Sequence, residues 1–167
     1  AVLAHGGVLD RFTGDGAMVI FGVPTPHSDD AVSALACARE LTQEIAQWSA
    51  ALAVDGSPPL RIRIGVHFGS VVIATLGGET QRQLTAAGDT VNVASRLEAL
   101  MRGRGAAIAI SGAVVEAARV AGREDLLAGF APLPDQPIRG RKGRIAVWVA
   151  EGSVARQPAP LPGSVTP

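Results

Sequence analysis

The chain has 167 residues, 47% of them hydrophobic and 18% charged, and its 15 Lys plus Arg balance 15 Asp plus Glu. That length supports one domain with a real core, and zero net charge gives no electrostatic case for nucleic acid or an anionic membrane surface. A single cysteine, Cys37, rules out an intrachain disulfide, and no apolar run approaches the ~18 residues of a membrane-spanning helix.

Ala1 to Gly7 carries neither a basic segment of the signal-peptide kind nor an initiator Met. Val8 to Phe12 and Ala17 to Phe21 are short apolar runs around Thr13-Gly14-Asp15-Gly16. Asp-Gly between two such runs predicts a hairpin, with Asp15 at its tip. Pro24 to Ser28 reads as a loop. Ser28 or Asp29 can cap the helix that follows, with Asp30 in its first turn. Val32, Leu35, Cys37 or Ala38, Leu41, Ile45, Trp48 and Leu52 mark one apolar face up to about Ala53. Cys37 belongs to that face as a small buried residue.

Leu60, Ile62, Ile64, Val66 and Phe68 alternate with Arg61, Arg63, Gly65 and His67, which predicts one full strand with a buried face. His67 falls on its polar side. No His or Cys stands at ligand spacing from it, so a zinc site is not expected. Val71 to Ala74 and Arg82 to Ala86 read as strands around a turn at Gly77-Gly78-Glu79. A polar turn then opens a helix at Asp89 or Thr90, either of which can act as its cap. Asn92 and Arg96 stand four apart on that helix, one turn apart on one face. An amide and a guanidinium make a donor-rich patch suited to phosphate or ribose oxygens, although spacing alone fits a solvated helix face as well. Further on come a strand Ala106–Ile110, a short helix Ala113–Ala121, a strand Phe130–Leu133, a basic loop Ile138–Arg144 and a strand Ile145–Ala150. Residues 153–167 are rich in Pro, Ala and Gly and read as a tail or linker after a domain of 1–152.

Gly88-Asp89-Thr90-Val91-Asn92-Val93-Ala94-Ser95-Arg96-Leu97-Glu98 resembles the signature helix of the class III nucleotidyl cyclases. Three further stretches are similar to the family in the family's order: Gly6 to Gly22, Arg61 to Val72, and the basic loop before Ile145. The resemblance implies an α+β fold, a ferredoxin-like mixed sheet with helices on one face. It also implies the chemistry of a bacterial-type adenylate cyclase, ATP going to 3′,5′-cyclic AMP and pyrophosphate with two Mg²⁺ or Mn²⁺ ions per site. On this resemblance Asp15 binds metal, Asn92 orients the ribose and Arg96 stabilises the α-phosphate. Arg11 and Thr85 read the base, and Arg141 holds the terminal phosphates. It further implies a homodimer with shared sites, ATP as the small-molecule partner and a cytoplasmic location.

Two departures qualify this. The family's opening strand, which carries its first metal aspartate, and the helix that follows it are absent from the sequence. The residue four before the hairpin Asp is Arg11, where the family's adenine-selecting residue is Lys. These 167 residues alone are therefore expected neither to cyclise ATP nor to fold as well as a longer natural product. A cyclase-like regulatory or nucleotide-binding module without turnover, and a guanylate cyclase, stand as alternatives.

Overall fold

The computed structural model describes residues 1–53, 58–76, 83–103, 106–137 and 143–151. The chain opens with a 3-10 turn (Leu3–His5) and a hairpin of β1 (Val8–Thr13) and β2 (Gly16–Ile20). Helix α1 (Asp30–Ala53) leads to β3 (Ile64–Val66), and β4 (Val72–Leu76) and β5 (Gln83–Ala87) form a two-stranded ribbon. Then come α2 (Asp89–Leu100), β6 (Ala106–Ser111), α3 (Gly112–Val120), a 3-10 turn (Glu124–Leu127), β7 (Phe130–Pro137) and β8 (Arg144–Glu151). The main sheet has the order β3-β6-β8-β7; β3 and β6 are parallel and the other pairs antiparallel. This is the expected α+β class with a mixed sheet.

Strand alternation divides the core in two. Ile64 and Val66, Ile108 and Ile110, and Trp148 face α1 and α3, where Leu35 and Val114 are fully buried. The residues between them face the other way: Ala109 and Val147 pack against Val93, Leu97 and Met101 of the α2 segment. Of the helices expected together on one face, α1 and α3 share it, whereas α2 lies across the opposite face. Burying side chains such as Leu97 or Leu35 stabilises the fold by about 1.5–3 kcal/mol each.

Four local expectations need correction. The hairpin forms where Asp15-Gly16 marks it, but its turn sits one residue earlier. Thr13 pairs with Gly16, the central residues are Gly14 and Asp15, and of the two only Gly14 has positive φ, at 64°. Glycine at the first central position is the type II′ arrangement, whose twist matches that of the strands. The apolar face of α1 is buried only near its start, for Trp48 and Leu52 are 60% and 40% exposed. A helix of 24 residues is about 36 Å long and overruns strands of about 26 Å at most. The strand expected over Leu60–Phe68 is paired only at Ile64–Val66, because alternation reports a two-faced segment and says nothing of how long its neighbour is. Finally, Asp89 is the first residue of α2 and not its cap. Gly88, at φ 131°, holds the cap position, and the Thr90 hydroxyl donates to the Ser70 carbonyl at 2.6 Å.

The 3-10 turn at the start is fastened to α1 by His5, whose Nε2 lies 2.6 Å from Glu40 Oε2. No helix among the described residues is long and apolar enough to cross a membrane. The suggested tail, 153–167, lies outside the described residues.

Two predictions arise from this packing. A Cβ on Gly65 would meet the Ala94 carbonyl and lie 2.5 Å from Glu98 N, so α2 rests on β3 through backbone. Gly65→Ala should destabilise the fold by about 1–3 kcal/mol, seen as a lower midpoint in urea unfolding. The second concerns acid. The hydrogen bond from His5 holds the Glu40 carboxyl below its usual value. Its contribution is therefore complete above the unfolded carboxylate value of about 4.3 and is lost as pH falls through the lower folded value. Between those two values the Tm of the wild type should fall more steeply with pH than that of Glu40→Gln.

Candidate functional site

Five of the six residues singled out by sequence lie in described segments; Arg141 and the rest of the basic loop at 138–142 lie outside them. Asp15 stands exposed in the two-residue turn at the tip of the β1–β2 hairpin. Arg11 stands on β1 and Thr85 on β5, and the fold brings them into contact. Arg11 Nη2 donates to Thr85 Oγ1 at 2.5 Å and to the Ala86 carbonyl at 3.2 Å, across 74 residues of sequence in the first case. One guanidinium thus joins the hairpin to the ribbon.

From Thr85 the chain runs through Gly88 directly into α2. Val93 and Leu97 are fully buried against the sheet, which turns Asn92 outward to solvent and leaves Arg96 half-buried one turn later. The side chains of Asp15, Asn92 and Arg96 make no hydrogen bond or ion pair to another described residue. Glu98, on the same helix, is engaged by Arg63 at 2.8 Å, which pins α2 from its solvent side. Donor-rich side chains left open on a helix fixed by packing are chemically suited to phosphate and ribose oxygens.

Among the described residues no three His, Cys, Asp or Glu side chains gather into a group able to hold a metal. The donor set still fits a hard divalent cation in part. Asp15 is an exposed carboxylate at the hairpin tip, and Mg²⁺ takes one or two carboxylates and keeps water or substrate oxygens for the rest.

Sequence reasoning missed two features. Asp10 is a carboxylate whose side chain is 0% exposed, and its Oδ2 accepts from Arg11 Nε at 2.8 Å. Neighbours on a regular strand point to opposite faces, so nothing in the sequence predicted that contact. His67 was read as a polar-face residue; its Nδ1 lies 2.7 Å from Oγ of the buried Ser111. A cleft of about 500 Å³ opens beside this pair, between Ser70, the start of α2 and Ala146. It contains none of Arg11, Asp15, Thr85, Asn92 or Arg96.

A model of the adenylate and guanylate cyclase catalytic domain matches residues 11–151. Adenylate cyclase 1 of Rhizobium meliloti (strain 1021) is 33% identical over 153 residues, 92% of this chain. The chain spans only 22% of the length of that relative. Among solved structures, the guanylyl cyclase Cya2 superposes with a TM-score of 0.71 at 31% identity, covering 93% of this chain and 76% of the other. The adenylyl cyclase CyaB from P. aeruginosa gives 0.73 over 89% and 73%, and at 24% identity it speaks for the fold alone. The matched stretch runs from the hairpin to the last strand and takes in Arg11, Asp15, Thr85, Asn92 and Arg96. The chain belongs to the adenylate and guanylate cyclase catalytic-domain family.

Proposed function

We propose that this domain acts as an adenylate cyclase, converting ATP to 3′,5′-cyclic AMP and pyrophosphate by in-line attack of the 3′-hydroxyl on the α-phosphorus. The observation that carries the reading is the bonded Arg11–Thr85 pair, which leads through Gly88 into the helix presenting Asn92 and Arg96. In this reading the base readers and the ribose–phosphate groups come from one protomer, with Arg11 of β1 bonded to Thr85 of β5 just ahead of α2.

In this reading the Asn92 amide orients the ribose. Arg96 donates to the α-phosphate oxygens as charge builds there, a role worth ~10²–10³ in rate for a single donor. Asp15 contributes a carboxylate to the metal site of the partner protomer. Two Mg²⁺ or Mn²⁺ ions, when bound, would lower the pKa of the attacking hydroxyl and neutralise the leaving pyrophosphate. Arg141, in the loop outside the described residues, is assigned to the terminal phosphates by resemblance alone. An isologous homodimer follows, in which each copy lends its hairpin tip to the other and two equivalent sites form. A cytoplasmic location belongs to the same proposal.

A second reading, a nucleotide-binding regulatory module without turnover, is favoured by one observation. Asp15 is a lone exposed carboxylate, with no cluster of metal-ligating groups among the described residues. Turnover decides between the two. In the full-length protein Asn92→Ala and Arg96→Ala should each lower cyclic AMP formation by orders of magnitude. Both side chains lie outside the core, so the melting temperature should move by no more than ~0.5 kcal/mol of stability implies. Near-normal turnover in either variant would remove the assignment, and a wild type that binds ATP without turnover would favour the module.

The base preference is a separate prediction. Adenine offers an acceptor at N1 and a donor at its amino group, and the pair supplies an N–H donor from Arg11 and an acceptor lone pair on Thr85. With ATP and GTP competing in one assay, cyclic AMP should dominate the product; a clear excess of cyclic GMP refutes the adenylate assignment.

A further inference from the structure

Asp10 sits at an irregularity in the hairpin. Val8 pairs with Ile20 and Leu9 with Val19, but the next pair is Arg11 with Met18, so Asp10 is the extra residue of a β-bulge. A bulge interrupts the alternation of side chains and re-aims one of them. Here it allows two consecutive residues to reach each other: the buried Asp10 carboxylate takes the Nε–H of Arg11 at 2.8 Å. On an unbulged strand the two would lie on opposite faces.

The consequence falls on the guanidinium. A guanidinium is a planar fork with five N–H groups. Asp10 occupies Nε, while Thr85 and the Ala86 carbonyl occupy Nη2. One edge of the plane is thus held by Asp10 and the adjoining corner by β5. The two N–H groups of Nη1 are the ones that no described residue accepts, and their direction is fixed by the other three bonds.

We infer that Asp10 is a specificity-determining positioning residue: through the bulge and its bond to Nε it fixes the plane of Arg11, and so decides which purine edge the remaining N–H groups meet. The inference rests on the proposed role of Arg11 and Thr85 as base readers. A fixed donor suits an acceptor at one place, the N1 of adenine. Guanine presents N1–H there, a donor facing a donor, and a desolvated polar group left without a partner is strongly disfavoured. A guanidinium free to turn could find the O6 and N7 acceptors of guanine instead, the edge on which Arg forms a bidentate pair. Asp10 does not touch the nucleotide; its influence passes through Arg11.

The test measures equilibrium binding of 3′-deoxy-ATP and 3′-deoxy-GTP, which lack the attacking hydroxyl, to full-length wild type, Asp10→Asn, Thr85→Val and Asn92→Ala. Asp10→Asn keeps size and one acceptor but removes the charge that holds Nε. The ratio of ATP-analogue to GTP-analogue affinity should fall about tenfold in Asp10→Asn, in line with the loss of one charge-assisted hydrogen bond. Thr85→Val should also shift the ratio. Asn92→Ala should weaken both analogues together and leave the ratio where it was, since a ribose contact does not see the base. A merely structural role for Asp10 would lower the melting temperature and scale both affinities equally. If Asp10→Asn does not stay folded at the assay temperature, Asp10→Glu, which keeps the charge and displaces the carboxylate, is read in the same way. An unchanged ratio in the Asp10 variant beside a shifted ratio in Thr85→Val overturns the inference and leaves the base-reading pair standing. An unchanged ratio in both, or a wild type that binds the two analogues equally or not at all, overturns the base-reading pair and the inference with it.

Discussion

The arrangement depends on a close approach of backbone to backbone. Helix α2 lies close on the sheet because two positions beneath it, Gly65 and Ala109, are nearly without side chains. Gly65 of β3 stands directly against Ala94 and Glu98, and Ala109 of β6 is fully buried under the same helix. Leu97 and Val93 fill the remaining space. Larger residues at 65 and 109 would lift the helix, and with it the direction in which Asn92 and Arg96 leave the surface. The site is therefore positioned from below by small residues and shaped from above by long polar ones.

The two faces of the main sheet do different work. Beneath α1 and α3 the strands carry Ile, Val and Trp, which fill volume and hold the domain together. Beneath α2, Gly65 and Ala109 set a close approach, while Val147, with Ile145, Val149 and Leu133, fills the remaining volume. The hairpin and the ribbon stand apart from that sheet as pairs of their own. What joins them to one another is polar: the guanidinium of Arg11 with the Thr85 hydroxyl and the Ala86 carbonyl. A part-buried charge with fixed partners has a defined geometry, whereas apolar contact tolerates sliding.

Much of this was legible in the sequence, for identifiable reasons. Hairpin, helices and the strands themselves follow from patterns that physics enforces locally: Gly beside Asp at a turn, apolar residues at helical spacing, alternation in strands. The helix with Asn92 and Arg96 was visible because motif and periodicity coincide there. The failures share a cause, which is that a one-dimensional pattern does not contain the partner. Leu60 to Phe68 alternates faithfully, yet only Ile64–Val66 find a neighbouring strand. Trp48 and Leu52 continue the stripe of α1 beyond the sheet that would cover them. Asp89 has the chemistry of a cap, but Gly88 has the conformation, and the hydroxyl of Thr90 is used to anchor the helix to Ser70. Asp10 was invisible because its contact with Arg11 needs a bulge, and a bulge is a property of two strands together.

The bond between Arg11 and Thr85 also bears on the order in which the molecule assembles. The β1–β2 hairpin and α2 are local structures that form on short loops, in microseconds or less. The Arg11–Thr85 contact closes a loop of 74 residues that contains α1, β3 and β4. The entropy of such a closure has to be met before any non-local contact can reward it. The contact between hairpin and ribbon therefore costs more closure entropy than either local element and depends on the rest of the fold. Any ligand that bridged the two sides would hold together segments 74 residues apart, and its binding energy would add to the stability of the fold.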